Sequence, residues 1–277
     1  MDIDTHQHFW QYNPAEHTWM SAAMPGLKRD LLPPDLKPLL DANGIDGTVA
    51  VQARQSLAET EWLLALAAQY PFILGVVGWV DLQSPQVDEQ LRRYAANPKL
   101  VGVRHVVQDE PDDQFMLRPA FLRGLEALGA FDLAYDLLLY PKHLRVAAQV
   151  AQKFPRQRFV LDHIAKPFIK AGRLAPWDED LRLLARFDNV SCKVSGMVTE
   201  AAWSQWTPED FQPYLDVVFD CFGSSRLMFG SDWPVCTLAA HYREVVNLVR
   251  DYLRGLPIDA VARVMGQNAI NVYRLKT

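Results

Sequence analysis

Eight short runs of apolar and β-branched residues recur along the chain, separated by longer helix-patterned stretches, and this alternation constrains the fold more than any other feature. The runs are "MDIDTHQHF" (1–9), "GTVAVQA" (47–53), "FILGVVGWV" (72–80), "LVGVRHVV" (100–107), "FDLAYDLL" (131–138), "RFVLDHI" (158–164), "NVSCKVSG" (189–196) and "RLMFGSD" (226–232). Between them, 57–70, 84–97 and 141–154 place apolar residues at three- and four-residue spacings, the period of a half-buried helix. Pro and Gly fall between the segments rather than through them. Strands alternating with helices read as βα units and a parallel sheet, and eight such units are what a (β/α)8 TIM barrel of the α/β class requires. An open doubly wound sheet is the competing architecture, but the GxGxxG turn after its first strand is absent. With no Gly/Ser linker or low-complexity tract, residues 1–277 read as one domain. The 10–33 segment after the first strand is too long and aromatic for a minimal turn, so it is expected to fold over the barrel mouth as a lid or wall.

In such a barrel the C-terminal strand ends and the loops beyond them form the working face, so polar residues there gain weight. The first strand ends in His6 and His8, which leave an extended chain on the same side. The second leads into Gln52 and Arg54, the third into Trp79 and Asp81, and the fourth carries Arg104 and His105. Asp136 follows on the fifth, His163 and Lys166 on the sixth, Lys193 and Ser195 on the seventh, and Asp232 on the eighth. Any one of these is ordinarily a loop cap or a packed polar group. Their arrival at every strand end favours one shared pocket.

Charge narrows the ligand class. A net charge of −5 provides no basic field for phosphates, which points to a small-molecule substrate rather than nucleic acid. No run approaches the roughly 18 apolar residues of a membrane span. Three cysteines without CxxC spacing are read as structural thiols in a reducing compartment, and with no leader-like segment the expected location is the cytoplasm.

Five stretches then carry a resemblance: "DTHQHFW" (4–10), "LDHIAKP" (161–167), "KVSGM" (193–197), "FGSDWP" (229–234) and the tail "GQNAINVYRL". In order and over nearly the whole chain, they resemble the sugar-acid lactonase branch of the amidohydrolase superfamily, which acts on fucono- and rhamnono-lactones and is related to 2-pyrone-4,6-dicarboxylate lactonase. The resemblance implies a distorted (β/α)8 barrel and hydrolysis of a cyclic ester, with His6, His8, His163 and Asp232 at the central positions. Asp232 is then the residue that activates water.

The chemistry agrees with that implication. Opening a lactone needs an activated water and positive charge near the tetrahedral oxyanion. Three imidazoles and a carboxylate suit one divalent cation, zinc by ligand type, with positions left for water and substrate. The fourth strand lacks the bridging acid or lysine of binuclear relatives and the fifth lacks their histidine, so one ion is the most expected. The resemblance equally admits a metal-free variant in which histidines and cationic side chains polarise the carbonyl.

For the substrate, Gln52, Arg54, Asp81, Arg104 and Lys193 are expected to bond hydroxyls, and Trp79 and Trp233, with Trp10, Trp19 and Tyr140, to supply walls. Two carboxylates on a pyrone would call for more arginines than Arg54 and Arg104, which favours a neutral sugar lactone. The alternatives are a pyrone-dicarboxylate lactonase, a metal-dependent decarboxylase of the same superfamily, and a barrel that binds without catalysis.

Overall fold

Each of the eight apolar runs forms a strand in the computed structural model, which describes residues 1–276. The strands are β1 (Ile3–Gln7), β2 (Gly47–Val51), β3 (Ile73–Gly78), β4 (Leu100–His105), β5 (Ala134–Leu137), β6 (Phe159–Leu161), β7 (Val190–Val194) and β8 (Leu227–Phe229). They pair in parallel in chain order within one eight-stranded sheet, as a (β/α)8 barrel requires. The expected helices form at Leu57–Gln69, Val87–Ala95 and Leu144–Lys153. The last of these buries Leu144, Val146, Ala147, Val150 and Ala151 against the sheet, which is the stripe its spacing dictates.

Several strands are shorter than their apolar runs. β6 stops at Leu161 because His163, Ile164, Ala165 and Lys166 all take positive φ, between 47° and 60°. β8 stops at Phe229, and Asp232 likewise has a φ of 58°. Non-glycine residues in this region cost about 1–2 kcal/mol each, so a run of four is held only because its surroundings fix it. One restraint is the Trp177 indole, which donates to the Ile164 carbonyl at 2.7 Å.

The ring closes differently at its seam. No ladder joins β1 to β8; a single bridge pairs Gln7 with Trp233. Around it the His8 N–H donates to the Trp233 carbonyl at 2.7 Å and the Asp232 N–H to the His6 carbonyl at 2.8 Å. Beneath them, the buried Asp4 carboxylate accepts from the Ser231 N–H at 2.8 Å and the Tyr242 hydroxyl at 3.0 Å. The seam therefore joins the two segments that carry HxH and SDW. At the opposite end, the tail motif folds as the helix Asn268–Tyr273, whose Tyr273 packs with Ile3, Val49, Val77 and Val160 inside the barrel floor.

The 10–33 segment forms a wall. Trp10 and Leu31 exchange backbone hydrogen bonds, both 3.0 Å long, and the Trp10 indole donates to the Leu27 and Arg29 carbonyls. Trp10 is thus the loop's own core, 1% exposed, and it also stands in the wall of the cavity at the strand ends. Its neighbour Trp19 remains at the surface.

Candidate active site

Four side chains meet at the C-terminal end of the ring. The Asp232 Oδ1 lies 3.4 Å from the His8 Nε2, 3.8 Å from the His6 Nε2 and 3.8 Å from the His163 Nε2. The two leading imidazoles face each other, Nε2 to Nε2, at 3.2 Å. All four residues are buried.

For His6 and His8, the second ring nitrogen fixes the tautomer. His8 Nδ1 is 2.8 Å from the Val51 carbonyl, an acceptor only, so Nδ1 carries the proton and Nε2 presents a lone pair. His6 Nδ1 is 3.1 Å from Asp162 Oδ1, which imposes the same tautomer. His163 Nδ1 pairs with the Ser195 hydroxyl at 2.9 Å. Burial lowers the basicity of His6, helped by Lys193 and His163 and opposed by Asp162, and it brings His163 down to about 4. Burial pushes the Asp232 carboxyl up, but the attraction of His163, with His8 and His6 beside it, outweighs this and holds the carboxyl well below the usual range. At neutral pH, the neutral His6 and His163 rings therefore stand against a carboxylate.

Such a set calls for a cation. Ligands about 2.0–2.1 Å from a tetrahedral zinc stand about 3.3–3.4 Å apart, and the separations among His6, His8 and Asp232 run from 3.2 to 3.8 Å. A carboxylate behind a histidine's far nitrogen, as Asp162 stands behind His6, is also the usual support of a metal-binding imidazole. The residues fit one divalent ion.

Below this layer runs a buried charge network. The Arg104 guanidinium donates to Asp162 Oδ2 at 3.0 Å and, through its other amino group, to the Gln52 carbonyl. The Lys193 ammonium sits 2.6 Å from Asp136 Oδ2 and 3.0 Å from Asp162 Oδ1, and the Tyr273 hydroxyl donates to Asp136 at 2.8 Å. Burial alone would raise the Asp162 carboxyl; Lys193, His6 and Arg104 together hold it well below its ordinary value. Two cations and two carboxylates thus neutralise one another where water does not reach.

This network corrects several expectations. Lys193 is fully buried and occupied by carboxylates, so it supports the site instead of bonding substrate. Gln52 is likewise buried, its amide bonded to the Arg104 carbonyl at 3.2 Å. Trp233 packs on Phe9 with ring centres 6.1 Å apart, and Trp79 and Asp81 lie outside the cavity lining. Asp81 instead caps the turn at the Gln83 N–H. His105 stacks on Phe115, a packed group rather than a working one. Arg54 and Arg104 do line the cavity, together with His8, His163, Asp232, Trp19 and Tyr140. Asp162 and Tyr273 were not anticipated. Alternation along an extended strand turns only one of Asp162 and His163 inward, whereas the left-handed turn brings both.

The cavity above the cluster encloses about 850 Å³. Arg54 ties its wall together, bonding Glu16 of the 10–33 loop and the buried Glu59, whose carboxylate also accepts the Ala53 and Arg54 N–H groups at 2.6 and 3.0 Å. A larger surface groove, about 1000 Å³, lies between the helix Pro119–Gly129 and residues 153–157 and shares no lining residue with this cavity.

Glycine is required where backbone passes the imidazoles. A Cβ on Gly196, at φ 62°, would stand 2.4 Å from His163 Nδ1, and one on Gly230 would stand 2.8 Å from the His6 Cβ. We expect Gly196→Ala to displace the His163 ring and lower kcat roughly 10- to 100-fold, the cost of misplacing a reacting group by about an ångström. Steady-state kinetics beside a melting curve check this; a variant with parental kcat would show that the ring is free to shift.

A ring of eight βα units with HxH closing its first strand and an aspartate beyond its eighth, gathered on one point, defines a hydrolase of the amidohydrolase class. The chain belongs to that family: the family model described as Amidohydrolase matches residues 3–275. It is 40% identical over 281 residues to an L-fucono-1,5-lactonase of Burkholderia ambifaria, covering 99% of this chain and 95% of that protein. A crystal structure of an amidohydrolase from Burkholderia multivorans with bound zinc matches with a TM-score of 0.96 and 40% identity, all of both chains covered. A probable 2-pyrone-4,6-dicarboxylic acid hydrolase of Acinetobacter baumannii, 20% identical with a TM-score of 0.78 over 99% of each chain, shares the fold.

Proposed function

We propose that this protein hydrolyses a sugar-acid lactone, an L-fuconolactone or a close deoxy-sugar relative, to the open aldonic acid. The observation that carries the reading is the convergence of three imidazole Nε2 atoms on one Asp232 oxygen, beneath a cavity whose arginines are already spoken for. The lactonase relative supports the same substrate class.

In the proposed reaction, Asp232 takes a proton from water as the water oxygen adds to the lactone carbonyl. The carbonyl carbon's bond to the ring oxygen then breaks, and Asp232 returns the proton to that leaving oxygen. The Arg104 guanidinium lines the cavity floor and sits 3.4 Å from His6 Nε2, where it adds positive charge near the developing oxyanion. A divalent ion held by His6, His8, His163 and Asp232 would polarise the carbonyl and make the bound water more acidic. His6 and His8 keep their lone pairs inward because Asp162 and Val51 hold their far nitrogens.

A pyrone dicarboxylate fits less well. Arg104 is engaged by Asp162 and Gln52 and Arg54 by Glu16 and Glu59, which leaves neither fork for a second pair of carboxylates. The decarboxylase reading is separated by its product: acid release with ring opening, against evolution of CO₂. We read residues 1–277 as one barrel domain and the cytoplasm as its compartment; the three cysteines are free, and among the described residues no helix is long and apolar enough to cross a membrane.

The test is acid release across a panel of aldonolactones, simple esters and a pyrone dicarboxylate. Activity confined to the pyrone, or to none of them, would refute the sugar-lactone reading. For the metal, we expect exhaustive chelation to cut activity at least about 100-fold and about one equivalent of zinc to restore it. Full activity with a metal-free protein would leave the polarisation to Arg104 and the imidazoles.

The buried imidazoles also set a pH dependence. With His163 lowered to about 4, its neutral form prevails at neutral pH and is lost as pH falls through that value. A bound cation moves the loss lower still. His163 is therefore expected to add no limb to the kcat/KM profile between pH 7 and 5, and none near the ordinary histidine value of about 6.5.

A further inference from the structure

We infer that Glu200 and Lys166 form a hydroxyl-reading pair, which selects a polyhydroxylated lactone through hydrogen bonds to ring hydroxyls away from the reacting carbonyl. This deepens the lactonase reading and rests on it. Both residues line the cavity that holds Asp232, His8 and His163. Lys166 ends the left-handed turn after β6, with a φ of 49°, and Glu200 ends the short helix Met197–Glu200 after β7. Each is therefore presented by backbone fixed from below.

Neither has a side-chain partner in the protein. Arg54, Arg104 and Glu110, which also line the cavity, are each held in an ion pair. Among the described residues, Glu200 and Lys166 make no side-chain hydrogen bond or ion pair, even with each other; the Lys166 ammonium lies 5.6 Å over the Tyr140 ring instead. The Glu200 residue is nonetheless half-buried. Burial pushes its carboxyl up, Lys166 draws it down, and Asp232 pushes it up again. A third lining group is left in the same condition: Gln108 Oε1 is buried without a partner.

Polar groups left unpaired around a cavity define what the ligand must bring. Glu200 and Gln108 Oε1 need O–H or N–H donors, and Lys166 needs an acceptor. Hydroxyls supply both. A dicarboxylate offers only acceptors and would meet repulsion from Glu200 and Asp232. A neutral polyol satisfies all three groups at once.

The test measures kcat/KM of the parent, Glu200→Gln and Lys166→Met on three kinds of substrate. These are the best sugar lactone, its single-deoxy analogues and unsubstituted δ-valerolactone. We expect each variant to lower the ratio of sugar lactone to δ-valerolactone roughly 10- to 100-fold, mostly through KM, as loss of a hydrogen bond to a charged group does. For one deoxy analogue, the one lacking the hydroxyl that Glu200 reads, parent and Glu200→Gln should converge. A ratio that stays constant in both variants overturns the inference, since both residues would then act on the chemistry or the fold. A parent that opens no lactone overturns the lactonase reading itself, and the pair's role with it. Melting temperatures within about 2 °C of the parent's confirm folding, and the two variants stand on different elements, so one unfolded variant leaves the other to decide.

Discussion

Replacing Asp232 with Asn is expected to lower kcat on the order of 10³-fold while KM changes little. The amide keeps the shape of the carboxylate and its place at the seam, where the Asp232 N–H donates to the His6 carbonyl at 2.8 Å, so the fold is not the variable. What is lost is the ability to take a proton, worth about 10²–10⁴ in rate for a positioned general base. Loss of the single negative ligand from a point ringed by three imidazoles adds to the effect. Metal analysis of the variant separates the two contributions: an unchanged metal content with lost turnover assigns the loss to proton transfer. Parental turnover in a correctly folded Asp232→Asn protein would remove Asp232 from its role.

The second large effect is expected far from any substrate. Lys193→Met should destabilise the protein by about 3–5 kcal/mol, the usual cost of removing one partner from a buried ion pair. In a barrel of this size that is a fall of roughly 6–20 °C in Tm. The reason is that Lys193 serves two fully buried carboxylates, Asp136 at 2.6 Å and Asp162 at 3.0 Å, and methionine would leave both short of positive charge. Asp162 in turn orients His6, so activity should fall too, and more steeply than stability alone explains at temperatures well below melting. Calorimetry and kinetics on the same sample test the pair of effects. A Lys193→Met protein with an unchanged Tm would mean that the two carboxyls share protons rather than rely on the ammonium.

Both variants mark where sequence reading succeeds and where it stops. The barrel was legible because every strand is a run of apolar residues bounded by polar or Pro/Gly punctuation, and His6, His8, His163 and Asp232 stand just where those runs end. Depth was not legible. The two-residue period of a strand says which face a side chain takes, but not whether it lies at the rim or a layer below. Lys193, expected at the substrate, lies inside β7 with its charge consumed by Asp136 and Asp162. Gln52 fell to the same ambiguity, bonded to Arg104 from beneath. Asp162 escaped notice because four successive left-handed residues have no signature in side-chain type, and only that turn lets Asp162 and His163 face the same interior. Tyr273 escaped because its partner, Asp136, lies 137 positions away.

The seam has a consequence for how this enzyme comes into being. Asp4 and Ser231, which hold it together, are separated by 227 positions, and the reacting groups flank them on either side. Contacts of such long range form late in folding, after nearer neighbours have already assembled. Turnover should therefore switch on as a single terminal event, silent while the arc of earlier βα units accumulates. That makes the appearance of product a clock for the last join in the circle.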